Sequence, residues 1–182
     1  MIKPLKIIMF GVKHSGKTSI GKKVSEILEW SFHDLDDSIE LQTKALTGSS
    51  IRDFFHIEER TRFFNIEKQC IDTFFRNRPA PWILSTGGGI IDNEKALELI
   101  PNDTVKVFLH NDPQELFSRI KKKGLPPFLI GEDPYEIFLQ IYTDRTSRYK
   151  KIADIIVELG NGSKDENAEI VLNSIKEYAN AR

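Results

Sequence analysis

Leu5-Lys6-Ile7-Ile8-Met9-Phe10 runs directly into Gly11-Val12-Lys13-His14-Ser15-Gly16-Lys17-Thr18, and beyond it Ile20, Val24, Ile27 and Leu28 recur at helical spacing. A short, nearly unbroken apolar run suits a strand buried on both faces, so the segment reads strand, glycine loop, helix. Gly11 to Thr18 has the form G-x-x-x-x-G-K-[ST]. Glycines let backbone N–H groups point inward around a phosphate, and the helix that follows adds the positive end of its dipole. The same spacing directs the Lys17 ammonium to the β and γ phosphates and the Thr18 hydroxyl to Mg2+. A nucleoside triphosphate is the ligand this chemistry fits, with Gly11, Lys13, His14, Ser15, Gly16, Lys17, Thr18 and Ser19 as its candidate contacts.

Outward from the loop the same alternation continues. Trp30 to His33 reads as a second short strand ending near Asp34, with a helix close behind it. Residues 37–78 read as mostly helical, interrupted at Gly48-Ser49-Ser50, where Ser50 has the chemistry of an N-cap and Asp53 stands at N3. Trp82 to Ser85 is a third strand, and Thr86-Gly87-Gly88-Gly89 a tight loop, because three consecutive glycines do not sustain a helix. Asp92 or Asn93 starts a helix over Ala96, Leu97 and Ile100. Thr104 to Leu109 is a fourth strand, and Pro113 opens a helix carrying Leu116, Phe117 and Ile120. Periodicity breaks from Lys121 to Gly131. Pro134 opens the next helix, Asp154 to Leu159 is the last strand, and Glu166 to Tyr178 the last helix. Strands alternating with helices at this density predict an α/β fold with a parallel sheet between two helical layers, and ligands in such folds collect beyond the carboxyl ends of the strands. The paired phenylalanines Phe54, Phe55, Phe63, Phe64, Phe74 and Phe75 read as core.

The 182 residues carry 26 Lys+Arg against 27 Asp+Glu, a formal charge of −1, with 40% hydrophobic and 29% charged residues. That length and balance predict one soluble domain and argue against a broad nucleic-acid-binding face. A single cysteine, Cys70, excludes an intramolecular disulfide framework. The sequence contains neither a run of apolar residues long enough to span a membrane nor a signal-like start. The expectation is a cytoplasmic monomer that binds neither nucleic acid nor membrane.

Asp34 and Asp36 flank Leu35 at the end of the second strand. Residues two apart on an extended chain face the same way, so both carboxylates are expected in one cleft, one beside the Mg2+ shell and one on an acceptor hydroxyl. Asp37 reads as a helix-start residue complementing the dipole.

Taken together, the phosphate loop, Phe32 to Glu40 (F-H-D-L-D-D-S-I-E), Arg62, the glycine loop Thr86 to Gly89 and Arg145 to Asp154 resemble the shikimate kinases in order and spacing over nearly the whole chain. The resemblance implies a three-layer sandwich with a five-stranded parallel sheet of the P-loop nucleoside-monophosphate-kinase kind. It also implies a single kinase domain over residues 1–182, with a substrate-binding helical region about 35–78 and a mobile lid about 121–133. The activity implied is ATP- and Mg2+-dependent phosphorylation of the 3-hydroxyl of shikimate. The resemblance places Asp34 and Thr18 at the metal, and Asp36 on the acceptor hydroxyl with Lys17 and Asp34 as its catalytic partners. Arg62 and Arg145 fall on the shikimate carboxylate, Gly87, Gly88 and Gly89 on the ring hydroxyls, and Arg119 on the adenine. Three departures stand out: Leu125 where the lid usually has an arginine, Ile57-Glu58 for a G-E pair, and Asn65 where a glutamate is expected. They leave open a kinase for another small hydroxylated acid, such as gluconate, or a nucleotide-binding regulatory protein with weak transfer.

Overall fold

The computed structural model describes residues 4–47, 59–76 and 78–181. Ser50, Asp53, Phe54, Phe55, Ile57 and Glu58 lie outside them. Five strands, β1 (Lys6–Phe10), β2 (Ser31–Asp34), β3 (Trp82–Ser85), β4 (Thr104–Asn111) and β5 (Ile155–Leu159), form one sheet in the order β2-β3-β1-β4-β5. Every adjacent pair is parallel. The helices are α1 (Lys17–Leu28), α2 (Leu35–Thr47), α3 (Glu59–Phe75), α4 (Glu94–Leu97), α5 (Pro113–Lys123), α6 (Pro134–Ile152) and α7 (Lys164–Asn180).

Alternation along β1 divides the core. Ile7 and Met9 point to one face, where they meet Ile20 and Val24 of α1 and Ala168, Val171, Leu172 and Ile175 of α7. Ile8 and Phe10 point to the other, against Ile66, Cys70, Ile71 and Phe74 of α3 and Tyr149 of α6. A strand with neighbours on both edges and helices on both faces has no solvated side, which is why β1 reads as a continuous apolar run. A third cluster, Val12 with Leu116, Phe117, Ile120, Leu129, Phe138 and Tyr142, seats α5 and α6 beside the phosphate loop. Of the paired phenylalanines, Phe74 is buried, Phe63 and Phe75 pack against the core, and Phe64 is half-buried.

The strand order positions the site. β1 and β3 pair with Met9 opposite Ser85, and the Thr86 N–H and hydroxyl both donate to the Met9 carbonyl, at 3.3 and 3.0 Å. The loops that leave β1 and β3 therefore start side by side, in the crevice where ligands bind in sheets of this type. No helix among the described residues is long and apolar enough to cross a membrane.

Several boundaries differ from the expectation. The second helix does begin close behind Asp34, at Leu35, but it takes in Asp36, because Asp34 caps it: its Oδ1 accepts the Asp36 N–H at 2.9 Å. α5 continues through Lys123, so the three lysines are helical and the break starts at Gly124, whose φ of +94° ends the helix. Asn93, not Asp92, caps α4, accepting the Ala96 N–H. α7 starts at Lys164, earlier than Glu166, because Ser163 and Glu166 form a reciprocal capping box. The Ser163 hydroxyl accepts the Glu166 N–H at 3.2 Å and the Glu166 carboxylate accepts the Ser163 N–H at 2.6 Å. Loss of such a cap costs about 1 kcal/mol. Ser163→Ala is expected to lower the unfolding free energy by that amount, seen as a lower urea midpoint with an unchanged m-value, and an unchanged midpoint would contradict the cap's role.

Candidate active site

Gly16 closes the phosphate loop at φ +97°, a left-handed conformation that favours glycine, and its carbonyl accepts the first α1 bond, from Ile20 N–H at 2.8 Å. His14 also lies in the left-handed region, at φ +66°. Lys17, buried at the start of α1, donates its ammonium back into the loop, to the carbonyls of Gly11 at 2.9 Å and Val12 at 3.1 Å and the Ser15 hydroxyl at 3.5 Å. Burial lowers its pKa to about 8, against the pull of Asp36 and Asp34, which favour the charged form. Ser19, on the first turn of α1, donates its hydroxyl to the Gly16 carbonyl at 3.2 Å. Arg119 of α5 donates to the His14 carbonyl at 3.3 Å, which brings α5 against the loop. Burial and then the charges of Lys123, Lys13, Lys17 and Arg119 push His14 down to about 4, so its ring stays neutral among four cations. Such a set of charges and loop N–H groups has the chemistry to receive phosphate.

Thr18 donates its hydroxyl to Asp34 Oδ2 at 2.7 Å, and the Ser85 hydroxyl lies 3.3 Å from Thr18. These are hard oxygen donors beside a phosphate loop, the set that fits Mg2+, which takes one or two carboxylates and completes its shell with phosphate oxygens and water. Asp34 and Asp36 do share the cleft, but not as strand residues two apart. Asp34 ends β2, and Asp36 sits in the first turn of α2, bonded to Asp34 through its N–H. Burial, then the neighbouring Asp34 charge, raises the Asp36 pKa, while Lys17 and Lys13 lower it.

The glycine loop stands opposite. A Cβ on Gly87 would fall 2.8 Å from Asp36 Oδ1 and 3.7 Å from Glu67 Oε1, and one on Gly89 would lie 3.2 Å from the Arg145 guanidinium. Gly88 packs closer still, its absent Cβ only 2.6 Å from the Lys13 backbone nitrogen. Its carbonyl accepts from Arg145 at 3.4 Å and from the Tyr149 hydroxyl at 3.3 Å. The phosphate loop, the acidic pair, the three glycines and Arg145 thus converge on one cleft.

Arg62 lies on a different face of α3 from Glu67. It is exposed on α3, and a helix turning 100° per residue sets it about 140° around the axis from Glu67. Arg60, seven residues from Glu67, lies within about 20° of it and approaches the glycine-loop side, 3.7 Å from Asp92. Asn65 is likewise exposed. The buried glutamate facing Gly87 is Glu67, which accepts from the Asn93 side chain at 2.9 Å. Sequence reasoning missed Glu67, Arg60 and Asp92. For Glu67 a signal existed, a lone acid on the apolar face of α3 beside Ile66, Cys70, Ile71 and Phe74.

A family model described as shikimate kinase matches residues 13–176. Similar curated proteins include the shikimate kinase of Burkholderia lata, 30% identical over 91% of this chain and 87% of that protein, and that of Streptococcus gordonii, 31% identical over 90% and 96%. Among solved structures, a shikimate kinase from Acinetobacter baumannii in complex with shikimate superposes with a TM-score of 0.80 at 24% identity, covering 94% of this chain and 92% of that one. A gluconokinase from Sinorhizobium meliloti superposes with a TM-score of 0.63 at 18% identity, covering 100% and 97%. Both are likenesses of fold.

Burial raises the Glu67 pKa to about 7, with the Asn93 hydrogen bond opposing and the Asp36 and Asp92 charges adding. A carboxyl whose pKa is raised on folding contributes stability that is complete below its unfolded value and is lost as pH rises through 7. Between pH 5 and pH 8 the loss should be roughly 2 kcal/mol. Glu67→Gln keeps an acceptor for Asn93 and removes the titration. Its stability relative to the parent chain should therefore rise from pH 5 to pH 8 in urea melts, and a pH-independent difference would contradict a buried, proton-binding Glu67.

Proposed function

We propose a division of labour among these residues for the reaction of the family to which this chain belongs, the shikimate kinases: phosphoryl transfer from ATP to the 3-hydroxyl of shikimate, giving shikimate 3-phosphate and ADP. The observation that carries it is the juxtaposition of Asp36 and the glycine loop with Lys17. A group that can orient an acceptor hydroxyl lies next to the ammonium that meets the transferring phosphates. Transfer of this kind needs little covalent chemistry from the protein and depends on positioning and electrostatic stabilisation.

The loop N–H groups and the start of α1 bind the β and γ phosphates. Lys17 leaves the Gly11 and Val12 carbonyls for the phosphate oxygens and neutralises charge that develops there. Thr18 and Asp34 would hold Mg2+, directly or through water, with Ser85 behind Thr18. When bound, the ion would supply charge neutralisation on the phosphates. Asp36 accepts a hydrogen bond from the acceptor hydroxyl and aligns it, and Gly87, Gly88 and Gly89 allow the ring to approach backbone. Arg145 faces the acceptor carboxylate, for which a guanidinium is suited by its planar fork. Arg119, on α5 beside the His14 carbonyl, takes the adenine side.

Lys123, one turn beyond Arg119 on α5, supplies phosphate charge in a chain where Leu125 occupies the lid arginine's place. Burial apart, its charge weighs most on His14. Residues 124–133 act as the lid that excludes water. Leu125, Phe128 and Ile130 within it are exposed, whereas Leu129 anchors it in the α5–α6 cluster.

ADP release by the purified chain with ATP and Mg2+ should depend on shikimate, with the phosphorylated product detected by mass. Lys17→Ala should lose at least about a hundredfold in kcat, since a charge-stabilising donor is worth that much. Equal ADP release with and without shikimate, or faster transfer to gluconate, would contradict the acceptor. Near-normal turnover of Lys17→Ala would contradict the role of the loop.

A further inference from the structure

The tip of the phosphate loop carries a side chain where the backbone favours none. The Val12 carbonyl accepts the Ser15 N–H at 3.1 Å, so Lys13 and His14 are the central residues of a tight turn. His14, the second of them, stands at φ +66°, a left-handed position that glycine or asparagine usually takes in such turns. A β-carbon there is disfavoured, and its retention at a binding loop implies a use for the side chain.

The surroundings of the ring narrow that use. Lys13 precedes it, with its backbone against Gly88 of the glycine loop. Lys17 ties the base of the turn through the Gly11 and Val12 carbonyls. From α5, Arg119 donates to the His14 carbonyl at 3.3 Å and is itself paired with Glu115 at 3.4 Å. Lys123, the last residue of that helix, acts on the ring most strongly of the four cations. Burial and these charges hold the half-buried imidazole neutral, with a pKa of about 4. A ligand that brings several negative charges into the same cup reverses the field that keeps the proton off.

We propose that His14 is a phosphate contact that takes up a proton as the nucleotide binds, so that an imidazolium stands between the loop and the lid-side end of α5. The proton comes from bulk solvent and returns there when the nucleotide leaves. This rests on nucleotide binding by the loop, as given above, and not on the identity of the acceptor. Because the bound state holds the proton more tightly than the free one, affinity rises as pH falls from the bound pKa towards 4. With phosphate restoring only the ordinary 6.5, the gain from pH 7.5 to pH 5.5 is about tenfold.

The test is calorimetric titration of the parent chain, His14→Asn and His14→Gly with MgADP at pH 5.5 and pH 7.5, each in two buffers of different ionisation enthalpy. The imidazole resonances of the parent chain are followed by NMR with and without MgADP. Asparagine and glycine both accept the left-handed conformation, so the loop keeps its path. Lys17, Asp36 and Glu67 are common to all three chains, and the difference between them belongs to His14. The parent chain is expected to gain about tenfold in affinity between the two pH values beyond either variant, and to take up about one more proton than either at pH 5.5. Its His14 ring should be neutral when free and charged in the complex, a readout that decides the matter even where a variant fails to fold. Equal pH dependence in all three chains, equal proton uptake, or a ring with the same charge in both states would overturn the proposal. If the parent chain binds no MgADP, the loop's role falls and this proposal with it. Binding that leaves the His14 ring unchanged overturns this proposal alone.

Discussion

Two stretches of backbone touch where no side chain fits. Gly88 lies so close to Lys13 that a Cβ would stand 2.6 Å from one backbone atom and 3.1 Å from others. One stretch is the loop proposed to bind phosphate, and the other the glycine loop proposed to border the acceptor. Their separation is thus set by backbone contact and by the Thr86–Met9 hydrogen bonds at their roots, with little freedom for side-chain rearrangement to alter it. In-line transfer is sensitive to displacements of this order, because a misplacement of about 1 Å can cost a hundredfold. The Gly88 carbonyl extends the linkage by accepting from Arg145 and Tyr149 of α6. The phosphate loop, the glycine loop and α6 are thereby linked.

Around that unit the site holds charges that burial disfavours. Lys17 is desolvated and keeps its ammonium on backbone carbonyls, a temporary set of partners that phosphate can replace. Asp36 and Glu67 are pushed the other way and bind protons more readily than free carboxyls. Opposed shifts in neighbouring groups are common at catalytic centres. Here they follow from one cause, burial of polar groups where α1, α2 and α3 face the glycine loop.

The architecture was legible because β1, β3 and β4 are buried on both faces and so carry apolar runs, while the phosphate loop has a spacing that chance seldom produces between a strand and a helix. Asp34 and Asp36 were legible as chemistry but not as geometry. A single cap at Asp34 puts Asp36 in the first turn of α2 and not on the extended chain, which changes how the two carboxylates are related. On α3, motif spacing points to Arg62 while helical phase sets Arg60 on the face of Glu67. Ile66, Cys70, Ile71 and Phe74 define the buried face, and two turns back from Glu67 that face presents Arg60. Asp92 and its arginines could not have been read at all. More than fifty residues separate Asp92 from Arg145, and an aspartate after a glycine loop carries no local sign of a partner on a distant helix.

The central claim is that the backbone contact at Gly88 holds the two halves of the site at reacting distance. It is tested most directly by Gly88→Ala, with ATP affinity measured by equilibrium binding, folding by thermal melting, and kcat with saturating ATP and shikimate. A folded variant that still binds ATP but has lost at least about tenfold in kcat is the expected result. A kcat within twofold of the parent chain would show that the contact does not set the reacting geometry.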